Sequence, residues 1–137
     1  MTVAIENEQQ RGMLVIDITG VASTANGGIG AVLNPEGVHL GILRTYVYFA
    51  TGSTGAGNLD VGVAAAAGSK ATDILSTFDM IQATVGGKLF NCQAVPVNET
   101  EDAVIWEDGE YITFTGSGSS VGLSAKLFIE YIRLTDL

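Results

Sequence analysis

A run of fourteen residues at 121–134, Val-Gly-Leu-Ser-Ala-Lys-Leu-Phe-Ile-Glu-Tyr-Ile-Arg-Leu, alternates so regularly that it constrains the fold more than any other stretch. Val121, Leu123, Ala125, Leu127, Ile129 and Tyr131 recur at a period of two. Successive side chains of an extended strand point to opposite faces, so these six share one apolar face. The other face, Gly122, Ser124, Lys126, Phe128, Glu130 and Ile132, is polar in its first half and mostly apolar in its second. At about 3.4 Å per residue the run spans roughly 48 Å, far beyond a usual strand of about five or six residues. Phe128 and Ile132, with Glu130 between them, need cover from elsewhere in the chain or from another subunit.

A second long strand is predicted at 38–51. Its apolar positions switch parity, from Val38, Leu40 and Ile42 to Leu43, Val47 and Phe49. Either both faces are buried or a bulge sits near Leu43-Arg44. Shorter strands are predicted at 13–19, where Leu14, Ile16 and Ile18 oppose Met13, Val15, Asp17 and Thr19, and at 29–33 and 58–65. Two hairpins are expected, one of 81–85 and 88–95 about Gly86-Gly87, the other of 104–106 and 110–115 about Glu107-Asp108-Gly109. One short helix is expected within 68–80, capped by Ser69, with Ile74, Leu75 and Phe78 on one side.

The composition agrees. Eighteen glycines against two prolines, in a chain rich in Val, Ile, Thr and Tyr, suit strands joined by tight turns. The 137 residues fit one domain, read as an N-terminal arm at 1–12 and a β-sandwich at 13–137. The fold class is therefore all-β, an antiparallel two-sheet sandwich with one short helix. A jelly roll is the first choice and an immunoglobulin-like sandwich the second. The long strands are expected to cross the sheet centres, with short ones at the edges.

Charge narrows the partners. Fifteen carboxylates against six Lys and Arg give a net charge of −9. There is no basic cluster to grip a phosphate backbone, so nucleic acid is not an expected partner. A basic protein surface is compatible with this charge. The apolar runs are too short to span a bilayer as helices, and residues 1–11 lack the pattern of a secretory signal. No membrane partner is expected.

No catalytic constellation emerges. His39 is the single histidine, which excludes a multi-histidine metal site, and no Gly-x-Ser-x-Gly elbow precedes a helix. It reads as an ordinary strand-end residue. Cys92, the single cysteine, has Lys88 as its nearest cation in sequence and reads as a packed thiol. Glu99, Glu101, Asp102, Glu107, Asp108 and Glu110 form an acidic loop without the spacing of a calcium loop. The glycine-rich stretches 26–30 and 52–57 lack the Lys-Ser/Thr of a phosphate loop, and turn chemistry explains both. Asn98-Glu99-Thr100 fits a glycosylation triplet without a secretory signal to support it. No cofactor or metal is expected.

Several pieces together resemble a known family. They are Leu-Gly-Ile-Leu-Arg-Thr-Tyr-Val-Tyr-Phe at 40–49, Asn-Leu-Asp-Val-Gly-Val-Ala at 58–64 and Thr-Asp-Ile-Leu at 72–75. Glu-Tyr-Ile-Thr-Phe-Thr at 110–115 and Leu-Ser-Ala-Lys-Leu-Phe-Ile-Glu-Tyr-Ile at 123–132 complete the set. In rhythm they resemble the jelly-roll cement, or decoration, proteins on the outside of tailed-bacteriophage heads, over residues 37–133. The resemblance implies a non-enzymatic virion protein on the outer surface of the capsid, bound to the major capsid protein and bracing neighbouring capsomers. It also implies association with itself, as a homodimer or alternatively a trimer. The interface is expected at Phe128, Glu130 and Ile132, with Val3 and Ile5 of the arm reaching a neighbour. The alternative is a carbohydrate- or receptor-binding sandwich of a phage fibre or head spike.

Overall fold

In the computed structural model the residues described are 10–21, 27–81, 87–92 and 104–134. They hold nine strands: β1 Arg11–Thr19, β2 Gly27–Leu33, β3 His39–Thr51, β4 Gly57–Ala64, β5 Leu75–Asp79, β6 Lys88–Asn91, β7 Ile105–Trp106, β8 Tyr111–Gly118 and β9 Ser124–Leu134. One sheet runs β1-β9-β3-β6, with β7 also paired to β3; the other runs β2-β8-β4-β5. Every pairing among them is antiparallel. Without the two-residue β7 the eight remaining strands stand in order 1-8-3-6 and 2-7-4-5. That order is the double Greek key of a jelly roll.

The two long strands predicted from alternation, β3 and β9, lie side by side at the centre of the larger sheet. The odd side chains of β9 face the second sheet: Ala125, Leu127, Ile129 and Tyr131 are buried, as is Leu123 just before it. Opposite them Leu59, Val61, Ile112 and Phe114 close the core. Each fully buried large side chain contributes about 1.5–3 kcal/mol. Phe49, Phe78 and Phe90 lock β3, β5 and β6 together, with Phe49 stacked on Phe78 at 5.3 Å and Phe90 edge-on to both.

The parity switch in β3 is a bulge. Its pairing with β9 slips between Ile42 and Arg44, leaving Leu43 without an opposite number. Leu40 and Ile42 before the bulge, and Thr45, Val47 and Phe49 after it, all point inward as a result.

The helix expected within 68–80 does not form. Leu75–Asp79 is the strand β5, paired with β4. Between the pairs Leu59↔Phe78 and Val61↔Leu75, the residues Ser76 and Thr77 together oppose Asp60. This second bulge separates Leu75 from Phe78 by three residues, a spacing that imitates a helix turn. Thr77 takes the left-handed φ of 55°, costly for a β-branched residue. Its amide donates to the buried Asp60 carboxylate at 2.7 Å, and Lys70 lies 3.4 Å from the other carboxylate oxygen. A tertiary contact has overridden local propensity. Chain 71–73 crosses the outer side of this sheet so closely that a Cβ on Gly62 would stand 2.7 Å from Ala71 and Asp73.

The turn at 107–109 is present, with Gly109 at φ 87° and the Glu110 amide donating to Glu107 O at 3.0 Å. It does not make the predicted hairpin. β7 pairs with β3 in one sheet, and β8 pairs with β2 and β4 in the other. The sequence signal specifies a reversal of the chain without specifying its partner. Of the other expected hairpin, Lys88–Asn91 is β6 and pairs with β3, while 82–86 and 93–95 lie outside the described residues.

Glu36, in the turn between β2 and β3, ties that turn to β9. It accepts from Tyr131 OH at 2.6 Å, Arg133 Nη2 at 2.6 Å and Arg133 Nε at 2.9 Å. The Tyr131 hydroxyl and the Arg133 guanidinium hold its carboxyl below the usual range. This contribution is full above the unfolded carboxylate range, about pH 4.3, and is lost as pH falls through the lower folded value. Glu36→Gln is therefore expected to melt below wild type at pH 6–7 and to converge with it in strong acid. Thermal melts across pH 2–7 check this; a constant gap at all pH values contradicts it.

Candidate functional site

The outer face of the larger sheet carries the most distinctive surface. Its geometry follows from register. In one row Val15 of β1 faces Phe128 of β9, which faces Tyr46 of β3 and then Asn91 of β6. The row on one side is Asp17, Lys126, Tyr48 and Leu89; on the other it is Met13, Glu130 and Arg44. Met13 is 64% exposed, Leu89 62%, Val15 47% and Tyr48 37%. Met13, Tyr46, Tyr48, Leu89 and Phe128 line a shallow depression of about 380 Å³. Contiguous exposed apolar surface of this kind marks an interaction site more often than isolated exposed residues do.

Charged pairs stand at both ends of this apolar centre. Lys126 Nζ lies 2.6 Å from Asp17 Oδ1, and Arg11 Nε lies 3.3 Å from Glu130 Oε1. Both pairs include an exposed member and contribute little to stability. They do fix the polar rim.

The expected interface residues divide. Phe128 lines the depression. Glu130 stands at its rim, paired with Arg11. Ile132 lies one row further along the same face, against Gly41. Val3 and Ile5 lie outside the described residues. Sequence reasoning missed Met13, Val15, Tyr46, Tyr48 and Leu89. The available signal was β1, apolar on both parities at Met13-Leu-Val-Ile16.

The other residues weighed as functional take structural parts. His39 opens β3, and its Nδ1 accepts from the Asp108 amide at 3.0 Å. Burial pushes the Cys92 thiol up to about 11, against opposing contacts from Thr45 and the Val47 backbone. A thiol so poorly ionised at neutral pH is a weak nucleophile. Of the acidic loop, Glu107, Asp108 and Glu110 are described, and Glu110 accepts from the Glu107 amide at 3.0 Å. Among the described residues no group of three or more His, Cys, Asp and Glu side chains is placed to hold a metal ion.

The double-Greek-key sandwich defines the class: a jelly-roll domain. Comparison with solved structures places the same fold in a chain of a structure titled "Capsid of Ralstonia phage GP4". The match covers 99% of this chain and 92% of that one, with a TM-score of 0.58 and 15% sequence identity. No protein-family model matches the sequence, and no curated protein matches it.

Proposed function

We propose that this chain is a non-enzymatic structural protein of a bacteriophage virion, a cement or decoration protein on the outer surface of the capsid. The observation that carries the reading is the end-to-end likeness of its jelly roll to a chain of a phage capsid. The exposed apolar sheet face supports it, because a coat component makes contact through open surface patches rather than a cleft. The acidic balance supports docking on a basic protein surface. In this reading the partners are the major capsid protein and further copies of the chain, as a homodimer or alternatively a trimer. Each contact is modest, and symmetric repetition over the shell multiplies its effect on capsomer cohesion.

The test uses expanded empty capsids of the cognate phage, prepared without this protein. The purified chain is expected to sediment with them at saturable stoichiometry and to raise their melting temperature by several degrees, since a ligand of the assembled state stabilises it. Failure to bind its own phage's shell overturns the reading.

A further inference from the structure

We infer that the outer face of the larger sheet is the contact between two copies of this chain, packed sheet on sheet about a twofold axis. The inference deepens the self-association named above and rests on that reading only for its setting. Three observations select a second copy as the occupant.

The first is chemistry. The centre of the face is Val15, Phe128 and Tyr46, extended by the exposed Met13, Tyr48 and Leu89. Its depression is lined by apolar and aromatic side chains alone, and another apolar sheet face fills such a surface well.

The second is charge. Copies of a chain carrying −9 repel each other on most approaches. On this face the cations Arg11, Arg44 and Lys126 outnumber the carboxylates Asp17 and Glu130. Among the described residues the acidic excess lies off this face, where seven carboxylates stand against Lys70, Lys88 and Arg133. Like-charge repulsion is weakest where two such faces meet.

The third is self-complementarity. The Asp17–Lys126 pair and the Arg11–Glu130 pair stand at opposite ends of the apolar centre. A twofold axis lying in the interface and running across the strands reverses the strand direction of the second copy. It brings the Asp17–Lys126 end of one copy over the Arg11–Glu130–Arg44 end of the other. Residue i then meets j while j meets i, as an isologous contact requires.

The patch is small. Four strands about 4.8 Å apart and about seven residues long outline roughly 450 Å² per copy, less than the ~800 Å² per partner of a standard stable interface. The dimer is thus a micromolar one, reinforced where a shell holds copies at high local concentration.

Sedimentation velocity and light scattering on the full chain, from about 1 to 200 μM to bracket that affinity, test this. Wild type is expected to convert from monomer to dimer across the range. The double variant Met13→Asp/Leu89→Asp is expected to weaken dimerisation at least 100-fold while keeping the wild-type melting temperature, because both side chains are already mostly exposed. Leu33→Asp, at an exposed site in the other sheet, serves as control and is expected to dimerise normally.

A wild-type monomer throughout the range overturns the inference, whether or not capsids are bound. So does a dimer that survives the double variant. Loss of capsid binding by that variant on a monomeric background makes the face a shell contact and overturns it too. A dimer that behaves as expected but ignores capsids upholds the inference and refutes the cement reading instead.

Discussion

Trp106→Ala is expected to lower folding stability by about 3–5 kcal/mol and the melting temperature by roughly 10–20 °C. Trp106 is wholly buried although its strand is only two residues long. It stands opposite Leu40 in the larger sheet. Its indole N–H donates to Glu110 O at 2.9 Å, just where the chain enters the smaller sheet. Asn34, buried at the end of β2, completes the junction: its Nδ2 donates to Trp106 O at 2.9 Å and to Val38 O at 2.8 Å, and its amide donates to Glu110 O at 2.9 Å. Alanine at 106 keeps the backbone carbonyl that Asn34 uses, so the loss is mainly volume and packing. Trp106→Phe retains most of the ring and gives up the indole donor; about 1–2 kcal/mol is expected there. Urea unfolding followed by far-UV circular dichroism reads both variants. A cost below about 1 kcal/mol for alanine would show that the junction relaxes around the cavity.

The second large effect is expected at Gly20→Ala. A Cβ at this position would overlap the backbone oxygen of Ser120. No side-chain rotation relieves a clash with a carbonyl, so one of the two segments must move. They are held where they are by the Gly20 amide donating to Leu123 O at 2.9 Å, and by Ser120 Oγ accepting from the Val21 amide at 3.0 Å. Moving them breaks this clasp at the end of the β1–β9 ladder. The expected cost is about 2–4 kcal/mol. Gly28→Ala, in β2, has open space around the new Cβ and is expected to fall within about 0.5 kcal/mol of wild type. Equal stability of the two variants would contradict this account.

The alternation of β9 was legible because a two-sided strand writes its burial pattern directly into the sequence. The bulge in β3 was legible for the same reason: a slip of one residue leaves a visible change of parity at Ile42-Leu-Arg44. What escaped was any feature determined by a distant partner. The spacing of Ile74, Leu75 and Phe78 looked helical until Asp60 drew the Thr77 amide into a bulge. The turn at Gly109 looked like a hairpin because nothing local says that β7 and β8 belong to different sheets. The proposed contact face was half visible. Phe128 and Ile132 announced an uncovered side of β9, but a face four strands wide exists only once register sets Val15 and Tyr46 beside Phe128. The stretch between Val15 and Tyr46 contains no hint that they flank a common neighbour.

That same register bears on how the chain is made. Among the described residues β1 pairs in its sheet with β9 alone, so Thr19 meets Ser124 and Arg11 meets Ile132. During synthesis the first strand emerges with an apolar face and no hydrogen-bonding partner. At about 5–20 residues per second, roughly 5–20 s pass before the last strand leaves the ribosome. Closure of the larger sheet is therefore a late event, and pairings so remote in sequence form slowly. Through that interval Met13, Val15 and Ile16 stay open to contact with other nascent chains, a hazard that the charges of Arg11 and Asp17 at either end of the strand help to limit.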